Sequence, residues 1–353
     1  METRVVFQSE NHIDANVIKE AGELIREGEL VAFPTETVYG LGGDALNVLS
    51  SAKIYAAKGR PSDNPLIVHI CRFEDLYRIC SRVPEAAVRL AKAYWPGPLT
   101  MILPKADCVP KETTGGLDTV AVRFPSHPVA QAFIEAAGGF VAAPSANASG
   151  RPSPTLAKYV LEDMDGEIPL IIDGGPVGIG VESTIIDLTE EEPTLLRPGY
   201  ITKEMLEQTL GEIDQDRTMM ESNPTGRPKA PGMRYRHYAP KGQLTLVSGK
   251  SDKVAEYINE HCRLAREDHL KTGVLCTRES LSLYRADEID SIKCIGSRAS
   301  QESVARELYR ALRECDDEGL EVIYAESFSE EGLGQAVMNR LLKAAGHQMV
   351  ELP

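Results

Sequence analysis

Between Asp214 and Pro240 the hydrophobic periodicity that marks the rest of the chain stops, and Pro224, Pro228, Pro231 and Pro240 with Gly226 and Gly232 take its place. Backbone of that composition is extended and turn-rich, so it reads as a linker rather than as part of a core. A chain of 353 residues also exceeds what one hydrophobic core usually organises. The break therefore predicts three regions: a first domain over 1–213, a Pro-rich linker or lid over 214–240, and a small α/β domain over 241–353.

Before the break, apolar residues at helical spacing over 15–27 feed a buried-strand run at 30–34. A helix-like stretch around Ala52, Ile54 and Tyr55 follows, then a strand at 66–70, a helix at 84–94, and strands at 100–103, 120–123, 140–143, 185–188 and 194–197, with a helix at 203–210. Such alternation predicts an open α/β sheet. After the break, short strands at 244–247, 273–276, 292–295 and 321–324 are separated by helices at 255–265, 304–313 and 333–345, which is the pattern of a small βαβ domain.

Charge and cysteine usage narrow the function. The chain holds 38 basic and 53 acidic residues, a net charge of −15, which repels a phosphate backbone at long range and argues against nucleic acid as the main ligand. Seven cysteines are odd in number, scattered, and never closer than nine residues, so they fit neither a Cys-x-x-Cys zinc knuckle nor a disulfide framework and read as reduced core thiols. No window approaches eighteen apolar residues and METRVVFQSE lacks a signal-peptide layout, so neither a membrane span nor secretion is expected and the cytoplasm is the predicted compartment.

Neither Gly-x-x-x-x-Gly-Lys-Ser/Thr nor a Gly-x-Gly-x-x-Gly after the first strand occurs, so a nucleotide would be held another way. Four segments stand out. Pro34-Thr35-Glu36-Thr37-Val38-Tyr39-Gly40-Leu41-Gly42 reads either as a ligand loop whose glycines admit a close backbone or as a capped turn into a helix. Lys58-Gly59-Arg60-Pro61, with Asn64 and the strand end at His69 beyond it, offers a point charge and a guanidinium fork suited to polyphosphate or carboxylate, or else a solvated turn. Ala142 to Ser153 leaves a strand with many small hydroxyl and amide groups, as at a ligand-facing sheet edge. Asp173 to Asp187 places four glycines before Ser183 and Thr184, where backbone amides would form an anion nest. Together these loops predict one cleft in which Lys58, Arg60, Arg123 and Arg197 neutralise phosphates, and catalysis by positioning and charge stabilisation. The linker adds Arg234, Tyr235, Arg236, His237 and Tyr238 in one stretch, a basic and aromatic face that would close over the cleft or pack one domain on the other.

As a set, Pro34-Thr35-Glu36-Thr37-x-Tyr39-Gly40, Lys58-x-Arg60, Pro144-Ser145-Ala146-Asn147-x-Ser149-Gly150, Glu182-Ser183-Thr184 and Arg197-Pro198-Gly199 closely resemble the threonylcarbamoyl-AMP synthase family, in its long two-domain form. The resemblance implies a YrdC-like open twisted α/β sheet domain with a smaller C-terminal Rossmann-like α/β domain. It implies a nucleotidyltransferase that condenses L-threonine, bicarbonate and ATP into L-threonylcarbamoyl-AMP with release of pyrophosphate. That product feeds N6-threonylcarbamoyladenosine synthesis in tRNA through a downstream transferase complex, with tRNA contact weak or indirect and no membrane role. By the same carry-over Lys58, Arg60, Ser145 and Asn147 form the catalytic, nucleotide-contacting tetrad. Asn64, Thr119, Ser153, Arg197, Tyr235 and His237 join them around ATP, whereas Thr37, His69, Arg123, Ala143 and Ser183 hold threonine. Mg2+ is implied as the companion of ATP, with no protein metal site.

Two other readings compete. Carbamoyltransferases that mature hydrogenases carry a related module, but with acylphosphatase and Cys-x-x-Cys segments that this sequence lacks. An RNA-binding protein without catalysis is disfavoured by the acidic balance, 6% aromatics and the lack of an interleaved basic-aromatic patch.

Overall fold

A computed structural model describes residues 2–220, 228–231 and 237–353. The chain forms two compact units, one of residues 1–149 with 153–235 and the other of residues 150–152 with 236–353. Among the described residues no helix is long and apolar enough to cross a membrane.

The first unit contains strands β1 (Arg4–Phe7), β2 (Val31–Phe33), β3 (Gly40–Asp44), β4 (Ile67–His69), β5 (Leu99–Pro104), β6 (Thr119–Arg123), β7 (Val141–Ala143), β8 (Leu170–Asp173), β9 (Thr184–Asp187), β10 (Thr194–Arg197) and β11 (Asp214–Gln215). Its helices are α1 (Ala15–Arg26), α2 (Val48–Lys58), α3 (Leu76–Ile79), α4 (Glu85–Tyr94), α5 (Pro128–Ala136), α6 (Ala157–Met164) and α7 (Lys203–Leu210). The strands join in the order β1-β8-β2-β3-β7-β4-β6-β5-β9-β10-β11, mixing parallel and antiparallel pairs. One apolar cluster, with Phe33, Phe133, Val141 and Ile172, is covered by α1 and α5. A larger one, with Leu41, Ile54, Val68, Met101 and Val122, takes in side chains of α2 and α4.

Two features depart from the sequence reading. The segment after Phe33 is not a turn into a helix: Gly40 returns opposite Phe33 as β3, antiparallel to β2, so Pro34 to Tyr39 is a hairpin loop. Its glycines serve packing, because a Cβ on Gly42 would stand 2.8 Å from Val141 and 3.1 Å from the Phe33 ring. The thiols are also not all interior. Cys80, Cys262, Cys276 and Cys315 are buried, but Cys108 and Cys294 are exposed and Cys71 is half-buried; all seven are free.

The second unit contains β12 (Gln243–Ser248), β13 (Thr272–Cys276), β14 (Ser291–Cys294), β15 (Val322–Glu326) and β16 (Met349–Glu351), with α8 (Ser251–Glu267), α9 (Gln301–Asp317) and α10 (Leu333–Ala344). The strand order is β14-β13-β15-β12-β16 and every pairing is parallel, the Rossmann-like arrangement expected. Residues 150–152 belong to this unit through bonds to their carbonyls: the Arg313 side chain of α9, fully buried, donates from Nε and Nη2 to the Pro152 carbonyl at 3.0 and 2.7 Å, and the Ala239 amide donates to the Gly150 carbonyl at 2.9 Å.

Candidate functional site

Alternation along β-strands puts every second side chain on one face, and the registers then build the site. His69 of β4 pairs with Arg123 of β6, and Arg123 with Thr100 of β5, so the three form a polar row across the sheet. Two residues along each strand, Ile67, Ala121 and Ile102 make an apolar row on the same face, which Ile185, Leu196 and the linker residue Ala230 extend. Thr119 lies on that face too, four residues and roughly 13 Å of extended strand from Arg123. The polar row and Thr119 thus stand at opposite ends of an apolar strip.

Ser183 and Arg197 complete the polar end. Ser183 Oγ lies 2.7 Å from Thr100 Oγ1. Arg197 donates from Nε to the Ser183 carbonyl at 3.0 Å and from Nη2 to Ser183 Oγ at 3.2 Å. Its Nη1 donates to the Pro231 carbonyl at 3.1 Å, and Lys229 pairs with Asp187 at 3.1 Å. The described linker residues therefore seat on the ligand-type face through a cation, an ion pair and an apolar side chain.

Burial of His69, with the Arg123 charge beside it, pulls its pKa down to about 3, and the Ile67 and Val141 carbonyls offset this only in part. The imidazole is thus neutral throughout the physiological range. Because the unfolded chain protonates this histidine near its ordinary value of about 6.5 while the native one stays neutral, stability is lost as pH falls from there towards 3. Denaturant titrations at several pH values are expected to show His69→Gln with a flatter acid limb, by up to roughly 1.4 kcal/mol per pH unit. Identical limbs would place His69 in a solvated setting.

The second cluster is formed by α2 and the loop after β7. Asn47 caps the start of α2, accepting from the Leu49 amide, and Gly59 ends it with φ 60°, a left-handed conformation that suits glycine. That cap separates two buried cations. Lys58 Nζ donates to the Ser145 carbonyl at 2.5 Å and to the Asn147 carbonyl, and Arg60 donates to the Asn64 and Pro65 carbonyls at 3.3 and 3.1 Å. Ser145 Oγ meets Asn147 Oδ1 at 2.5 Å, and the Ser149 amide donates to the Lys58 carbonyl at 2.8 Å. The side chains of Lys58 and Arg60 are therefore buried rather than solvated; Lys58, Ser145 and Asn147 are bonded into one cluster, and Arg60 is turned to the Asn64 and Pro65 carbonyls beside it. Ala143, which precedes this loop, pairs with Ile67. Buried Asn64 Oδ1 accepts no hydrogen bond among the described residues. Ser153 Oγ donates to Glu182 Oε1 at 2.6 Å, fixing the loop end against the residue before Ser183.

Five amides of the glycine-rich segment are already bonded within the protein. The amides of Ile179 and Gly180 donate to the Glu36 and Thr37 carbonyls at 2.9 and 3.1 Å, and that of Val177 to Thr155 at 3.2 Å. Gly174 donates to the Tyr39 hydroxyl at 3.0 Å and Gly175 to Asp173 at 2.8 Å. Those of Gly174, Ile179 and Gly180 act as a strap around the Pro34–Tyr39 loop. Within that loop Thr37 and Thr35 hydroxyls lie 2.9 Å apart, both buried. Glu36, given no role by the sequence reading, stands 2.8 Å from Arg123. A carboxylate between two buried hydroxyls just after a buried strand was the available signal. His237 lies in the second unit, and Tyr235 lies outside the described residues.

Buried cations, hydroxyls and a neutral imidazole thus gather on the mixed sheet of the first unit and on the loops beside it, and the second unit is a separate parallel α/β domain. Residues 23–199 match the family described as "Telomere recombination" and residues 201–346 that described as "Threonylcarbamoyl-AMP synthase, C-terminal domain". The threonylcarbamoyl-AMP synthase of Pyrococcus abyssi is 48% identical over 348 residues, covering 99% of both chains. That of Bacillus subtilis is 49% identical over 334 residues, covering 94% of each. The crystal structure of P. abyssi Sua5 complexed with L-threonine superposes with a TM-score of 0.93 at 47% identity, covering 99% of this chain and 100% of that one. Escherichia coli YciO matches 56% of this chain with a TM-score of 0.52 at 26% identity, covering 96% of its own length. The chain belongs to the threonylcarbamoyl-AMP synthase family.

Proposed function

We propose that this chain makes L-threonylcarbamoyl-AMP from L-threonine, bicarbonate and ATP, releasing pyrophosphate and water, and so acts as a nucleotidyltransferase. The observation that carries the site assignment is the buried in-register row of His69, Arg123 and Thr100 with Ser183 bonded at its end. A guanidinium among hydroxyls and a neutral imidazole matches an amino-acid carboxylate and side-chain hydroxyl, and the relative solved with L-threonine supports that ligand here. Thr37, Ala143 and Ser183 border the amino acid in this reading. The Lys58, Arg60, Ser145 and Asn147 cluster, with Asn64, Ser153 and Arg197, faces the triphosphate, and Thr119 the far end of the nucleotide across the apolar strip.

Threonine's amine attacks bicarbonate carbon to give a carbamate, whose oxygen attacks the α-phosphorus while pyrophosphate leaves. Negative charge grows on phosphate oxygens in that step, and fixed cations held by carbonyls need no reorganisation to meet it. The donor set here is cations, hydroxyls and amides, which complements phosphate rather than a hard cation. Magnesium belongs to the substrate as MgATP, where it shields the phosphate charge. Product passes in a cytoplasmic setting to a tRNA-modifying threonylcarbamoyl transferase complex.

Pyrophosphate release is expected to require ATP, bicarbonate and L-threonine together. Equal release without threonine would refute the assignment, and mass spectrometry of the product made with each amino acid in turn reads the substrate directly. Titration with unmodified tRNA across salt, run in parallel, is expected to give weak binding.

A further inference from the structure

Glu36 and Arg123 form a buried ion pair much of whose hydrogen-bonding capacity is unused among the described residues. Their side chains are 13% and 5% exposed and approach to 2.8 Å. Yet both Glu36 oxygens, and Nε and Nη2 of Arg123, make no hydrogen bond among the described residues. The contact is one of charge alone, since the carboxylate does not lie along the N–H directions of the fork. Buried polar atoms are almost always satisfied, because each one left bare costs its full desolvation. Four such atoms in one pair call for a ligand that supplies both missing halves. The backbone leaves the pair little room to relax: Ile179 and Gly180 clamp the carbonyls of Glu36 and Thr37, and Arg123 ends β6 in register with His69 and Thr100.

We propose that Glu36 is a specificity-determining residue that receives the α-ammonium group of the amino-acid substrate while Arg123 receives its α-carboxylate. This rests on the reading that Arg123 faces that carboxylate. A zwitterion has the one charge pattern that fits. Its carboxylate offers two acceptors to the guanidinium fork, its ammonium offers donors to a carboxylate that has none, and its zero net charge leaves the Glu36–Arg123 pair balanced. A hydroxy acid of the same shape would add an uncompensated negative charge beside Glu36, and an amino alcohol an uncompensated positive one beside Arg123. Either would be penalised in a site this buried. The neighbouring imidazole of His69 is neutral and Thr35 and Thr37 carry no charge, so Glu36 is the group that tells ammonium from hydroxyl.

Calorimetric binding of three probes to the full chain tests this: L-threonine, the matching 2,3-dihydroxybutanoate, and L-threoninol. The wild type is expected to prefer L-threonine strongly over both. Glu36→Gln, which keeps the shape and removes the charge, is expected to weaken L-threonine binding about 10- to 100-fold, the range for a buried hydrogen bond to a charged group. It should leave the hydroxy acid unchanged or tighter, so that the preference collapses. Glu36→Asp should bind more weakly overall yet keep the preference, and it serves as the decisive variant if Glu36→Gln does not fold. Arg123→Lys should weaken both acids alike while sparing ATP. If wild type binds L-threonine, Arg123→Lys weakens it, and Glu36→Gln discriminates as sharply as wild type, the Glu36 assignment is overturned while the substrate reading stands. If wild type does not bind L-threonine, or Arg123→Lys changes nothing, the substrate reading fails and takes this assignment with it.

Discussion

Replacing Lys58 with alanine is expected to slow pyrophosphate release by on the order of 10²-fold or more, the loss seen when one preorganised donor facing a developing charge is removed. The ammonium group is placed by two carbonyls of the very loop it serves, those of Ser145 and Asn147, while the same residues are tied to each other through Ser145 Oγ. Cutting the side chain back therefore removes a charge and unfastens the loop that holds the tetrad. In the proposed reading both effects fall on the nucleotide, so the loss should appear in kcat and in the ATP requirement, with threonine binding little changed. Arg60→Ala should behave similarly, because Arg60 spans the Asn64 and Pro65 carbonyls and sets the approach to β4. Activity within a few-fold of wild type for both, with melting temperatures unchanged, would return the Lys-x-Arg turn to a purely structural role.

What could be read from the sequence and what could not divides along the range of the interaction. Elements marked by local signals were legible: α1 by its apolar spacing, α4, and the runs at β5 and β6, each within a residue or two of its place. Residues that the sequence reading grouped also lie near one another in space, Lys58 bonding to the Asn147 carbonyl and Arg197 to Ser183. Strand β3 was missed because Gly40-Leu41-Gly42-Gly43-Asp44 lacks β-branched residues, and it exists through pairing with β2 and β7. Helix α5 and strand β8 were likewise passed over, being short stretches whose burial is supplied by distant partners. The glycine-rich loop could not be read fully for a physical reason: its amides look available until the chain that takes them is known, and those of Gly174, Ile179 and Gly180 are taken by the Pro34–Tyr39 loop more than 130 residues earlier. Glu36 escaped notice by the same rule, because its partner is 87 residues away.

Arg197→Ala is expected to have the other large effect, and on two readouts at once. The side chain is 4% exposed and reaches strand and linker together: its Nε and Nη2 hold Ser183, and its Nη1 holds the Pro231 carbonyl. Loss of a buried cation leaves those acceptors without their donor, each costing about 1–3 kcal/mol, so the truncated chain should melt several degrees lower. Lysine offers a charge but no fork, and cannot reach both the Ser183 carbonyl and Pro231. Arg197→Lys should therefore recover part of the stability and little of the activity. If residues 228–231 form a cover over the apolar strip, releasing Pro231 should expose a reactive adenylate and carbamate to water. Adenylate yield per ATP consumed should then fall more than ATP consumption itself, and the linker should be cut faster by protease in Arg197→Ala than in wild type, with or without ATP and threonine. A variant that loses stability but keeps wild-type yield and wild-type linker protection would show that Arg197 only braces Ser183, and that the linker's seat on this face owes its closure to Lys229 and Ala230 instead.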